Sequence, residues 1–546
     1  MKGGAPEDRV GRAPILLAAV LSCAWPALLL ATLCLLPFLN KPFVVDDPYF
    51  LTMARQIVKH PTRPMDFTIC WNLFPDCTKA YVLTTGNALM GYALVPTVLS
   101  GAHEWTAHLT QLVLVWVAIV AMSSLVLRFG RDRQHSIVGA LLLVAIAPFL
   151  PMASTAMPDI LATALALVAM ERLAAWKAER KWSQCVAAGI ALGLAGFART
   201  HLMLLLPLGA FYLLESAEPK ELLPQVRKNL RLWTPVVLGA ALLLAINATV
   251  REENATSDLP AVYSGLHNIP ANLTAYLLYL VFPIPLAACW LANRLKSGRL
   301  CIGIVLVLAV APAWFVHHRY GVPLSVSFLA MIGCGVLADL LYEALKSADH
   351  TALFLMLWIL IPLPIVYYGH LPSKYLLPCM PAIILLCFRL LNGLSLQLFR
   401  GAAVLLIVVN TAYSVLILRS DAEFAKFGRD ALYSLIQPHF AAHEKVWFYG
   451  QFSAYWYAPL AGATLAFPRG PQPKPGDLVV VGLYEGGEQL VLPRFQHRTL
   501  VGAVTHEYSF GRTMGAGIGL YTNRVGYWLW GFGASPEDRY ELWRID

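Results

Sequence analysis

Apolar stretches of membrane length recur along the first 418 positions, and no other feature restricts so severely what this chain can fold into. Each holds roughly 18 or more residues, enough to cross ~30 Å of hydrocarbon as a helix. A window reading gives about thirteen, near 14–39, 108–128, 136–153, 158–175, 183–198, 200–215, 232–250, 273–292, 300–316, 323–342, 351–369, 376–391 and 401–418. Backbone polar groups inside hydrocarbon need internal partners, so such runs fold as helices. The expectation is a mainly α, polytopic membrane bundle. A composition of 58% hydrophobic and 13% charged residues excludes an ordinary soluble domain of this length. The first run is too long for a signal-peptide core and has no small-residue cleavage site beside it, so it reads as a span.

The cations fall mainly in alternate loops: Lys2, Arg9 and Arg12; Arg128, Arg131 and Arg133; Lys177, Arg180 and Lys181; Lys220, Arg227, Lys228 and Arg231; Arg294, Lys296 and Arg299. This is the positive-inside pattern. It accounts for the net charge of +9 without nucleic acid and puts the N-terminus in the cytoplasm. An odd number of spans then carries the first loop, 40–107, and the C-terminus to the other side. In a bacterium this is the periplasmic face of the inner membrane.

From 419 to 546 the texture changes. Gly, aromatics and charges rise, and the strand-like pieces KVWFYG, ATLAF, DLVVVGLY, RTLVGAV and GIGLYTN alternate with turns such as PRGPQPKPGD. A small α/β or α+β external domain is expected, opened by the amphipathic segment DAEFAKFGRDALYSLIQ. Two other external stretches stand out: TTGNALMGYALVPTVLSG, a second helical piece of the first loop, and the polar loop near 251–272. Asn247, Asn254 and Asn272 head Asn-x-Thr triplets, a pattern frequent by chance. Cys70 and Cys77 lie in the polar part of the first loop, where an oxidising compartment would let them close a disulfide. Free thiols or a metal pair are the other readings. The remaining cysteines sit in or beside apolar runs and read as small core residues.

The polar residues at span ends carry the functional signal. Asp46 and Asp47 stand where the first run ends, in FVVDDPYFLTMARQI. One Asp before Pro48 suffices to cap a helix; a second, repelling the first, calls for another explanation. Phe50, Met53, Ala54, Ile57 and Val58 then recur at helical spacing, opposite Arg55, Gln56 and Lys59, which predicts a helix lying in the membrane surface. Asp159 opens a later run, after Pro158, at an external turn; it reads as a cap or as a second acid on the same face, since acids bordering hydrocarbon are commonly functional. Three cationic clusters interrupt apolar runs on that face: Arg199, Thr200 and His201; His317, His318, Arg319 and Tyr320; His370, Lys374 and Tyr375. Singly, each reads as a snorkelling side chain. Together with the acids they describe a pocket for an anionic group beside a proton acceptor.

In order and sidedness, DDPYFLTMARQI, TAMPDILATALALVAM, SKYLLPCMPAI and the external C-terminal domain resemble the GT-C glycosyltransferases. The likeness is strongest to the bacterial branch of aminoarabinose transferase and relatives of the protein O-mannosyltransferases. The resemblance covers the layout of 14–418. It implies transfer, with inversion, of a sugar from a polyprenyl-phosphate donor to a lipid, glycan or protein acceptor at the outer membrane face. Carried over, Asp46 is the acid at the active centre and Asp47 stands where many relatives have Glu. Asp159 is the second acidic residue, and Lys374 and Tyr375 face the lipid phosphate. From the residues themselves, apart from the resemblance, one of Arg199, His317, His318 or Arg319 is expected to hold that phosphate with Lys374, and His370 lies in the same cationic set. Some relatives hold a divalent metal near these acids; Asp46, Asp47, Asp159 and His370 offer ligand atoms, but no spacing demands one.

A polyprenyl phosphate is already a good leaving group, so the site needs a base for the acceptor hydroxyl and cations for the phosphate. A lipid-linked oligosaccharide ligase or polymerase is the nearest alternative. A secondary transporter fits less well, because its acids would sit near the midplane of paired halves. A scaffold built around the soluble domain would leave the acidic pair without a role.

Overall fold

The computed structural model describes residues 17–70, 77–83, 88–214, 230–250, 265–281, 286–297, 299–391, 395–467, 470–484, 495 and 497–546. Lys2, Arg9, Arg12, Lys220, Arg227, Lys228 and most of the loop near 251–272, including Asn254, lie outside these. Among the described residues, eight helices are long and apolar enough to cross a membrane: Leu17–Phe38, Glu104–Arg128, Arg231–Thr249, Leu300–Tyr320, Leu324–Lys346, His350–Tyr367, Ser373–Leu390 and Leu396–Ala441. Helices of this length and composition are those of an integral membrane protein.

The remaining apolar runs take other forms. The run at 136–153 divides into Arg133–Ala145 and Phe149–Ala153, because the intervening Pro148 cannot continue a helix. Trp182–Ala198 and Thr200–Leu213 are short apolar helices, the latter beginning as a tight 3-10 turn. The run at 273–292 becomes Ile269–Val281 and Leu286–Ser297, with Pro283 and Pro285 between them in sequence. Helix Asp159–Glu179 carries Asp159, Glu171 and Arg172 and is buried on nearly every side, packed between Glu104–Arg128 and Trp182–Ala198. Its alanine-rich surface is what allows that close approach.

The helix expected at the membrane surface forms as Asp47–Lys59. Phe50, Met53, Ala54 and Ile57 are buried, while Val58 is exposed. Its apolar side is covered by protein: it packs against Ala88–Ala93 and against helix Phe452–Ala461 of the C-terminal region, with Arg55 stacked 4.1 Å from the Trp456 ring. The same C-terminal helix sends Tyr457 Oη to the Phe43 N–H at 2.7 Å and to Glu104 Oε1 at 3.0 Å.

Leu396–Ala441 is one continuous helix of 46 residues. The last apolar run and the amphipathic segment expected to open a separate domain are therefore a single rod, and position 418 falls inside it. Beyond it lies a five-stranded sheet in the order Thr464–Leu465, Val446–Tyr449, Leu478–Gly482, Arg539–Ile545, Arg498–Thr505. The first three strands are parallel and the last two pairings antiparallel. Leu478–Gly482 is buried at all five positions, as a covered parallel strand should be. A second sheet of three short strands, Met514–Gly515, Gly517–Gly519 and Gly526–Trp528, holds a loop against the membrane bundle. That loop requires glycine at two points. A Cβ on Gly526 would lie 1.9 Å from the Gly517 carbonyl carbon, and one on Gly519 would lie 2.1 Å from the Thr522 oxygen.

Candidate functional site

The site is organised by the turn 154–158, which precedes the buried helix Asp159–Glu179. On one side of it, the segment leaving the first span is fastened by Lys41. Its Nζ donates to the Ser154 carbonyl and Oγ, both at 3.1 Å, and pairs with Asp421 of the long helix. Asp421 also accepts from Tyr521 Oη at 2.7 Å and Thr513 Oγ1 at 3.2 Å. Both members of the ion pair are fully buried, and these added partners satisfy what a buried charge pair otherwise lacks.

From that anchor the chain passes through Val45 at φ 50°, an uncommon conformation for a β-branched residue. It then enters the helix with Pro48 in its first turn, where a missing N–H does no harm. Asp46 occupies the cap position but makes no side-chain cap bond. Asp47 does not cap the helix either: its two oxygens accept the Val44 N–H at 3.0 Å and the Ala156 N–H at 2.7 Å, tying the acidic segment to the central turn. Asp47 is 0% exposed. Burial pushes its carboxyl up to about 7, against the pull of Lys41 and the two N–H donors.

Asp46 behaves differently. Its side chain is 41% exposed and lies 3.4 Å from Lys374 Nζ, a partner 328 residues away. Lys374 is buried; its Nζ is 3.3 Å from Met157 Sδ and stands over the rings of Tyr521 and Tyr375 at 5.6 and 5.9 Å. It is delivered by the tight 3-10 turn Ser373–Cys379, with Pro372 before it and Pro378 within it. The C-terminal loop clasps the approach to this turn. Asn523 accepts the Leu371 N–H at 2.9 Å and donates to Asn272 Oδ1 at 2.9 Å, while Arg524 Nε donates to the Gly369 carbonyl at 2.9 Å.

Asp159 completes the group. Its Oδ1 accepts from Arg199 Nη2 at 2.7 Å, and the Arg199 guanidinium lies 4.8 Å from the Tyr375 ring centre. His201 and His370 flank the same ring at 6.2 and 6.3 Å. Burial, with Lys374, Arg524 and Arg199 nearby, pushes His370 down to about 3, so it enters the site as a neutral imidazole and brings no charge.

The structure thus gathers Asp46, Asp47, Asp159, Arg199, His370, Lys374 and Tyr375 at one end of the bundle. His317, His318 and Arg319 stand apart in their contacts, which are local: the Val322 carbonyl, the Trp314 ring and the Tyr320 ring. Cys70 and Cys77 are joined in a disulfide beside the two-stranded hairpin Thr68–Ile69 and Thr78–Lys79. A shared metal does not fit the carboxylates as arranged. Asp47 is turned to backbone N–H groups, Asp159 to Arg199 and Asp46 to Lys374, and among the described residues no group of three His, Cys, Asp or Glu could hold one. Lys41, Asp421, Tyr521, Asn523 and Arg524 were not foreseen. Lys41 and Asp421 each sit just past the end of an apolar run, where a lone charge draws no notice.

No family model matches the chain, and no curated protein matches it in sequence. Among solved structures, ArnT from Cupriavidus metallidurans in the apo state aligns with 89% of this chain and 96% of its own, at 13% identity and TM-score 0.50. ArnT from the same organism bound to undecaprenyl phosphate aligns over 89% and 97% at 14% identity and TM-score 0.48. An Archaeoglobus fulgidus oligosaccharyltransferase tethered to an acceptor peptide aligns over 82% and 63% at 14% identity and TM-score 0.44. The chain carries the fold of ArnT, a GT-C aminoarabinose transferase.

Proposed function

We propose that the protein is a membrane glycosyltransferase that moves a sugar from a polyprenyl-phosphate donor to an acceptor hydroxyl at the outer, periplasmic face, with inversion. The observation that carries this reading is the pairing of Asp46 with Lys374 at a membrane boundary: a partly exposed carboxylate beside a buried ammonium. Asp46 takes the proton of the acceptor hydroxyl as its oxygen attacks the anomeric carbon. The bond from that carbon to the phosphate oxygen breaks, and its electron pair stays on the phosphate, which Lys374 stabilises. Asp47 is a positioning residue, because both its oxygens are occupied by backbone N–H groups. The ArnT-like fold supports the reading as a membrane glycosyltransferase.

The test is incubation of the purified full chain, in lipid vesicles, with radiolabelled polyprenyl-phosphate sugars. With a cell-envelope extract added as the source of acceptor, the proposal expects label to leave the lipid-linked form for the acceptor and free polyprenyl phosphate to be released, both inhibited by added polyprenyl phosphate. Accumulation of a solute inside the vesicles, with the lipid-linked sugar untouched, would instead mark a transporter.

A further inference from the structure

Buried polar atoms are nearly always satisfied in native proteins, and a group that is not asks for an explanation. Of nineteen such atoms among the described residues, four belong to side chains near Tyr375 in space or in sequence. Asp159 Oδ2, Arg199 Nε, His201 Nε2 and Ser373 Oγ are all buried without a hydrogen-bond partner. Asp159, Arg199 and Ser373 are 3%, 8% and 1% exposed. Asp159 and Arg199 are bonded to each other through their other atoms, Arg199 and His201 both approach the Tyr375 ring, and Ser373 begins the turn that carries Lys374 and Tyr375. Asp159, Arg199 and His201 are thus linked through one another and the Tyr375 ring, and Ser373 stands next to Lys374 at the head of the same turn.

Their chemistry is specific. Asp159 Oδ2 is an acceptor and Arg199 Nε–H a donor, presented by a pair whose charges already cancel. A hydroxyl satisfies both at once, since it donates one hydrogen bond and accepts others. Ser373 Oγ can serve a second hydroxyl in either sense. An ammonium group fits poorly: it has no lone pair for Arg199 Nε–H, and it would add a positive charge where Asp159 is neutralised by Arg199 and Asp46 already faces Lys374. We infer that Asp159, Arg199, His201 and Ser373 form the subsite for the transferred sugar, and that this sugar is a neutral, hydroxyl-bearing one rather than an amino sugar. The inference rests on the lipid-linked transfer proposed above and names the substrate class at that same site.

The experiment compares two donors on the full chain in vesicles, with the same cell-envelope extract as the source of acceptor: a polyprenyl phosphate carrying a neutral hexose and one carrying an aminodeoxy sugar, alongside inhibition of each reaction by free polyprenyl phosphate. The neutral donor is expected to be used with a kcat/KM about ten- to a hundredfold higher, the ratio expected of a charge-assisted hydrogen bond made by one donor and lost by the other. Asp159→Asn should narrow that ratio while leaving inhibition by polyprenyl phosphate within about threefold, because Lys374 is intact. Equal use of the two donors, or preference for the amino sugar, overturns the subsite while leaving the transferase reading in place. Neither donor being consumed, with no inhibition or binding by polyprenyl phosphate, overturns the transferase reading itself.

Discussion

The two neighbouring carboxylates should respond in opposite ways to the same substitution. Asp46→Asn removes an oxygen that carries charge and faces solvent, and it disturbs only one contact, the 3.4 Å approach of Lys374. A partly exposed pair of this kind contributes about 1 kcal/mol or less to stability, so the variant should fold and insert normally. Loss of a general base typically costs about 10²- to 10⁴-fold in rate, or about 3–5 kcal/mol in the barrier. Free polyprenyl phosphate should still inhibit, since Lys374 is then relieved of its carboxylate partner and remains available to phosphate. The assay is transfer of label from a lipid-linked sugar by purified protein, with thermal unfolding recorded in parallel. A variant that kept its rate within about threefold of the parent would refute the assignment of Asp46. So would one that lost its rate only together with its fold.

Asp47→Asn addresses pH instead. The folded chain keeps the Asp47 proton up to about 7, whereas the unfolded chain releases it near the ordinary value of 3.8. Between those values the folded state binds more protons, so this group's contribution to stability falls as pH rises, by about 4 kcal/mol at most over that window. The stability difference between parent and Asp47→Asn, measured by denaturant unfolding from pH 4 to 7, should therefore move in favour of the variant; a flat difference would show Asp47 to be ordinarily solvated. Lys41→Met leaves Asp421 buried without its cation and should destabilise by about 3–5 kcal/mol, much of which the double variant Lys41→Met/Asp421→Leu should recover; additive losses would mean the pair does not act as a unit. Gly526→Ala forces a methyl onto the Gly517 backbone and should dislodge the 517–526 loop, exposing the clasp at Asn523 and Arg524 to limited proteolysis. Wild-type resistance in that variant would contradict the close approach.

What could be read in advance follows from how local each determinant is. A membrane span is declared by its own residues, and so is an amphipathic helix; Leu17–Phe38 and Asp47–Lys59 lie where their periodicity put them. Runs interrupted by proline read as spans only because hydropathy averages over the break, as at Pro148. The C-terminal strands were legible where Val and aromatic residues dominate. Arg539–Ile545 was not, because RYELWRI looks like a solvated tail; it is in fact an inner strand of the sheet, paired on both sides.

The site divides the same way. Asp46 stands beside a second acid, Asp159 at a proline turn, and Arg199, Lys374 and Tyr375 in cationic clusters between apolar runs, and those groupings are visible without knowing the fold. Lys41 and Asp421 give no such signal, since each sits just past the end of an apolar run, where a charge is expected at the water boundary. Only the fold, bringing together residues 380 apart, turns them into a buried pair. Once they are seen as buried, their consequence is chemical as well as structural. Lys41 and Asp47 grip the same turn, at Ser154 and Ala156, and that turn carries Met157 against Lys374 and leads directly into Asp159. The alignment of Asp46, Lys374 and Asp159 is therefore set by bonds to a few consecutive backbone groups. A shift of that turn would displace all three together.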